Sequence, residues 1–95
     1  MTRFFMFGTY SHDAVKGISA GRTEKAMTLI KKYGGEVQSM YTLLGLYDVI
    51  IVVDFPGLEE ALQTSVALYK LTGISFATSP VVEVAEFDKL VDEDE

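Results

Sequence analysis

Two segments of this chain are apolar on both of their alternating faces, and that double-sided pattern restricts the fold more than any other feature. Residues 47–55 read Tyr-Asp-Val-Ile-Ile-Val-Val-Asp-Phe, so one alternating set is Tyr47, Val49, Ile51, Val53 and Phe55 and the other is Asp48, Ile50, Val52 and Asp54. Residues 3–10, Arg-Phe-Phe-Met-Phe-Gly-Thr-Tyr, are mainly apolar in both sets. Strands of this kind are covered from both sides. The chain has 95 residues, enough for one domain and too few for two. A sheet built on these strands therefore needs helices over one face and another body over the other.

The rest of the chain supplies the helices. Ser11 is placed to cap a helix in which Val15, Ile18, Ala26, Leu29, Ile30 and Tyr33 recur at helical spacing until Gly34 and Gly35. Gly17 and Gly21 lie early in it, and each weakens a helix by roughly 1 kcal/mol relative to Ala, which predicts a kink or break near residues 19–22. Residues 36–44 read as a second strand, joined to the third by a tight hairpin at Gly45 and Leu46. Pro56 and Gly57 end the third strand, and Leu58, Ala61, Leu62, Ser65, Leu68, Tyr69 and Thr72 mark one face of a second helix that closes at Gly73. The last strand is expected over residues 74–87, interrupted by Pro80, which an edge strand tolerates.

The resulting order, β-α-β-β-α-β, is a split βαβ arrangement of the α+β class. Right-handed crossovers put the first and third strands in the centre and the second and fourth at the edges. Both helices then cover one face, and the other, carrying Ile50 and Val52, has nothing in the chain to bury it. The expectation is a homo-oligomer, a dimer or a multiple of dimers, in which a partner sheet covers that face.

The run Gly45-Leu46-Tyr47-Asp48 followed by Val49 and Ile50 resembles the motif for which the GYD-domain family is named. Gly34-Gly35, Tyr41, Pro56, Glu60-Ala61 and Glu86-Phe87 extend the likeness over roughly residues 3–88. The resemblance implies a ferredoxin-like domain, a four-stranded antiparallel sheet with two helices on one face, that assembles as a dimeric α+β barrel; it implies no particular activity. Leu46 departs from the polar residue expected at a hairpin tip, and its apolar surface is expected to bury itself on another subunit. A fainter likeness is to the effector-binding domains of leucine-responsive transcription regulators, which bind small metabolites at subunit interfaces. No helix-turn-helix precedes the first strand, so any regulation is expected to act through a partner protein.

Composition narrows the chemistry. Fourteen acidic residues against eight basic ones give a net charge of −6, the wrong sign for neutralising phosphates, so nucleic acid is not expected as a partner. There is no cysteine, hence no disulfide or thiolate chemistry, and a cytoplasmic location is the default. No leader pattern or membrane span is read from the sequence. A single histidine cannot by itself anchor a closed metal site, and neither a metal nor a cofactor is expected. Residues 1–91 are taken as the domain and residues 92–95 as an acidic tail. Between residues 16 and 32 the charges Lys16, Arg22, Lys25, Lys31 and Lys32 against Glu24 leave a net +4, so the tail is either a solvated end or a strap over that helix.

Antiparallel pairing brings Tyr10, Ser11 and His12 to the same edge of the sheet as Tyr47 and Asp48. Tyr10, His12, Tyr47 and Asp48 can hold a small polar ligand, or His12 and Asp48 can exchange a proton. Alternatively Asp48 caps backbone N–H groups, Tyr47 packs on a helix and His12 is an exposed loop residue. Tyr41, with Phe4, Phe5, Phe7 and Tyr10, lines either a substrate cavity, as in barrel-type monooxygenases that resemble this fold, or simply the core and interface. Three readings follow. The first is a non-catalytic oligomeric module binding a small-molecule effector or a partner protein, with no assigned catalytic residue. The second is a cofactor-independent monooxygenase- or isomerase-like enzyme, and the third is a purely structural assembly unit.

Overall fold

β1 (Thr2–Tyr10) and β3 (Val49–Phe55) lie at the centre of a four-stranded sheet of order β2-β3-β1-β4, with β2 (Glu36–Thr42) and β4 (Ile74–Pro80) at its edges. Every pairing is antiparallel. The structure is a computed structural model and describes residues 1–92, so the expected acidic tail, apart from its first residue, lies outside the described residues. Between the strands run α1 (His12–Lys16), α2 (Ala20–Lys32) and α3 (Leu58–Thr72), and α4 (Val84–Val91) follows the last strand. The βαββαβ order and the central and edge positions are those read from the sequence.

The burial of β3 alternates along its length, with Val49, Ile51, Val53 and Phe55 buried and Ile50, Val52 and Asp54 half-buried between them. The first set meets Phe4 and Met6 of β1, Ile30 of α2 and Ala61 and Leu68 of α3 in one core. Phe4 and Phe55 meet edge to face there, ring centroids 5.9 Å apart. Burying such a side chain contributes about 1.5–3 kcal/mol, so these strands and helices depend on each other. Thr64, the one buried polar residue among those described, donates its hydroxyl to the Glu60 carbonyl at 2.8 Å.

On the other face, among the described residues, no helix lies over Phe5, Phe7, Ile50 and Val52, which are half-buried in the register Phe5 opposite Val52 and Phe7 opposite Ile50. Tyr47 joins them, its ring 5.0 Å from that of Phe7. At one end of this face Arg3 makes two hydrogen bonds to Asp54, at 2.8 and 3.1 Å, and Gln38 of β2 donates to the same carboxylate at 3.1 Å. Gln38 occupies a register shift between Val37 and Ser39, so it is the extra residue of a bulge.

The expected break in the first helix is present, and two other segments differ from the sequence reading. The first helix is two helices: α1 ends at Lys16, and Ser19 restarts the chain as the cap of α2 by accepting a hydrogen bond from the Arg22 N–H at 3.0 Å. The break falls at residues 17–19, slightly before the expected segment, because Gly17 is the stop and Ser19 the better cap. The link between β2 and β3 is no tight turn but a loop over residues 43–48, bracketed by the Leu43 N–H bonded to the Asp48 carbonyl at 3.1 Å. Tyr47 and Asp48 therefore precede the strand rather than open it. The last strand stops at Pro80 instead of continuing to Phe87; one more bond, from the Val81 N–H to the Arg3 carbonyl at 3.0 Å, follows it before residues 84–91 turn into α4. Thus the described residues hold four helices, against two expected with a break in the first.

Candidate functional site

The end of the sheet where β1 finishes is shaped by a glycine. Gly8 stands on the helix-covered face opposite Val49 on one side and Phe76 on the other. A Cβ there would lie 2.5 Å from Val49 Cγ1 and 2.7 Å from Phe76 Cε1, so the missing side chain is what lets those two residues close into one floor. Above this floor, between α2, α3 and the sheet, is a cavity of about 260 Å³. Its depth is apolar, with Ala26, Ile51, Leu68 and Ile74 beside Val49 and Phe76. Its mouth is polar, ringed by Tyr10, Arg22, Thr23, Tyr41, Thr42 and Thr72. An apolar cavity with a few convergent polar groups is the usual form of a small-molecule site.

Arg22 reaches this mouth because α2 begins afresh at Ala20. Its Nη1 donates to the Ala14 carbonyl at the end of the preceding helix, and its guanidinium lies 5.7 Å from the centre of the Tyr10 ring. Arginine carries five N–H donors in a planar fork, so these two engagements hold the group in place without exhausting it. Tyr10 is fixed in turn from the opposite side. Its backbone N–H donates to Asp48 Oδ2 at 3.0 Å, while the Asp48 N–H donates to the Gly8 carbonyl at 2.8 Å. Asp48 thereby ties the loop over residues 43–48 to the last turn of β1 and sets the backbone from which the Tyr10 ring projects.

The residues expected at one end of the sheet are distributed as follows. Tyr10 and Tyr41 line the cavity, and Asp48 adjoins it through the backbone of Tyr10. Tyr47 points to the uncovered face, against Phe7 rather than against a helix. His12 is exposed in the first turn of α1, and among the described residues it has no hydrogen bond to Asp48. Gly45 and Leu46 lie in the loop, with the Leu46 side chain 84% exposed and its neighbour Leu44 exposed as well. Ile50 and Val52 lie on the uncovered sheet face. Among the described residues no group of three or more His, Cys, Asp or Glu could hold a metal ion, and no helix is long and apolar enough to cross a membrane.

Arg22, Met40, Thr42, Thr72 and Phe76 are cavity residues that sequence reasoning did not single out. Only Arg22 had a local signal, lying three residues after the Ser19 cap. A strong electrostatic pairing lies elsewhere: the hydrogen bond from Arg3, ahead of its charge, holds the Asp54 carboxyl below its ordinary value and raises Arg3 in return.

Fold and site together define a ferredoxin-like α+β domain with a small-molecule-sized cavity between its helices and sheet. The family model of the GYD domain matches residues 4–91, nearly the whole chain, and the protein belongs to the GYD domain family. No curated protein matches it.

Proposed function

We propose that the protein is a non-catalytic, homo-oligomeric module that binds a small molecule with an apolar body and one anionic group in the cavity beneath α2. The observation that carries this reading is the cavity itself: an apolar interior of about 260 Å³ whose rim presents one guanidinium and several hydroxyls. The apolar walls favour a hydrocarbon or aromatic body, and Arg22 favours a carboxylate, which its planar fork can engage with two parallel hydrogen bonds. Oligomerisation is supported by the uncovered face, where Phe5, Phe7, Ile50 and Val52 form a continuous apolar surface. His12, the general base that an enzymatic reading would use, is not among the cavity's lining residues.

A thermal-shift series of aromatic and branched carboxylic acids, each paired with its primary amide, tests the reading. A ligand at a hundredfold excess over its Kd stabilises by about 2.7 kcal/mol, which raises the Tm of a domain this size by about 10 °C or more. The expected result is a shift with an acid, a smaller shift with its amide, and loss of the difference in Arg22→Met. Equal shifts for acid and amide, or none with any compound, would refute it.

A further inference from the structure

α4 is an amphipathic helix with no cover. Val84, Phe87, Leu90 and Val91 fall on one side of it at helical spacing, yet no residue of the helix is buried and Leu90 is 71% exposed. Glu86 and Asp88 flank that apolar stripe on either side.

The same chain carries an open groove of the opposite character. Between α2 and α3 runs a depression of about 780 Å³ with Leu29, Ala67 and Leu71 in its floor. Lys25 and Lys32 line its α2 side and Lys70 its α3 side, against a single acid, Glu24. Gly21, Thr28 and Ala67 are small, which lets a third helix approach closely. An apolar stripe edged by carboxylates thus has, in one chain, an apolar trough edged by ammonium groups.

We infer that α4 of one copy lies in the α2/α3 groove of a second copy. The chain's own helix is badly placed for it. α4 begins four residues after Pro80, a reach of at most about 14 Å. Ala67, Lys70 and Leu71 belong to the last turns of α3, which feed through Gly73 into the opposite end of β4. α3 packs on β4 and stands between that strand and the groove. A helix of eight residues, about 12 Å long, buries its four apolar side chains there by the helix-in-groove mode, with the lysines pairing across the rim.

The chain contains no cysteine, so single cysteines report contacts without background. L90C is mixed with A67C, with I50C on the uncovered sheet face, or with V66C on the outer side of α3, one member of each pair isotopically labelled, and treated with a short bismaleimide. The expected product is a labelled–unlabelled crosslink between L90C and A67C. The crosslink should weaken severalfold as salt rises from low to physiological strength and beyond, vanish in E86K/D88K, and return when that arm is mixed with a K25E/K32E/K70E groove. A crosslink to I50C or V66C instead, a purely intramolecular link in the L90C/A67C double variant, or no link in any mixture overturns the inference.

Discussion

Replacing Gly8 with alanine adds one methyl group to the most crowded point of the sheet. The new carbon would stand 2.5 Å from Val49 Cγ1, 2.7 Å from Phe76 Cε1 and 2.9 Å from Ile74 Cγ2. Carbon atoms in contact settle at about 3.5–4.0 Å, so three neighbours on three sides must each withdraw by about 1 Å. β1 is a central strand paired on both edges, which leaves the backbone no free direction in which to move. Inserting a methylene into a well-packed core costs about 1–3 kcal/mol, and three simultaneous clashes point to the upper end. Against this, alanine loses less chain entropy than glycine and returns about 0.4–1 kcal/mol. The net expectation is a loss of about 2 kcal/mol, read in urea denaturation as a lower midpoint with an unchanged m-value. V49A removes the nearest methyl, so the double variant G8A/V49A should lose less than the sum of the two single variants by about 0.5–3 kcal/mol. G8A with wild-type stability, or strict additivity in the double variant, would show that Gly8 is not where the cavity floor is set.

Three further outcomes are expected. I50D places an unpaired carboxylate on the uncovered sheet face; light scattering should show dissociation to monomers, with the fold retained by circular dichroism, and an unchanged mass would remove that face from the interface. D48A takes the acceptor from the Tyr10 N–H and should cost about 1–3 kcal/mol of stability, the scale of a hydrogen bond to a charged group, whereas D48N should recover part of it. Because Asp54 is depressed by Arg3, its contribution to stability is complete above the ordinary carboxylate range and is lost as pH falls through the lower folded value. An R3M variant should therefore show a shallower loss of stability on acidification, and identical acid limbs would place the pairing energy elsewhere.

The order of the strands was legible because the two double-sided apolar runs admit only central positions, and the alternation of β3 told its faces apart residue by residue. The ends of elements were harder. Val81, Val82 and Val84 are β-branched and read as a continuing strand, and the Val81 N–H still bonds the Arg3 carbonyl, but the spacing of Val84, Phe87 and Val91 is helical. The loop before β3 was misread as a turn because Gly45 is a turn residue locally, whereas its length is set by Asp48 bonding back to Leu43 and across to Gly8. At the cavity, Tyr10 and Tyr41 were legible as aromatics near a strand end. Arg22 was not, since a lysine- and arginine-rich helix offers several equivalent cations, and only the break at Gly17 decides which one turns inward.

The carboxylate of Asp48 makes the exposed loop and the cavity wall a single mechanical unit. Leu44 and Leu46 stand out into solvent on that loop, and Asp48 at its base holds the backbone of Tyr10. On the proposed ligand-binding reading, a contact that biases the loop's position acts on the tyrosine through one charge-assisted hydrogen bond, and thermodynamic reciprocity would make occupation of the cavity act back on the loop with the same free energy. That energy is capped by the bond that transmits it, about 1.5–3 kcal/mol, or a tenfold to hundredfold change in affinity at either end.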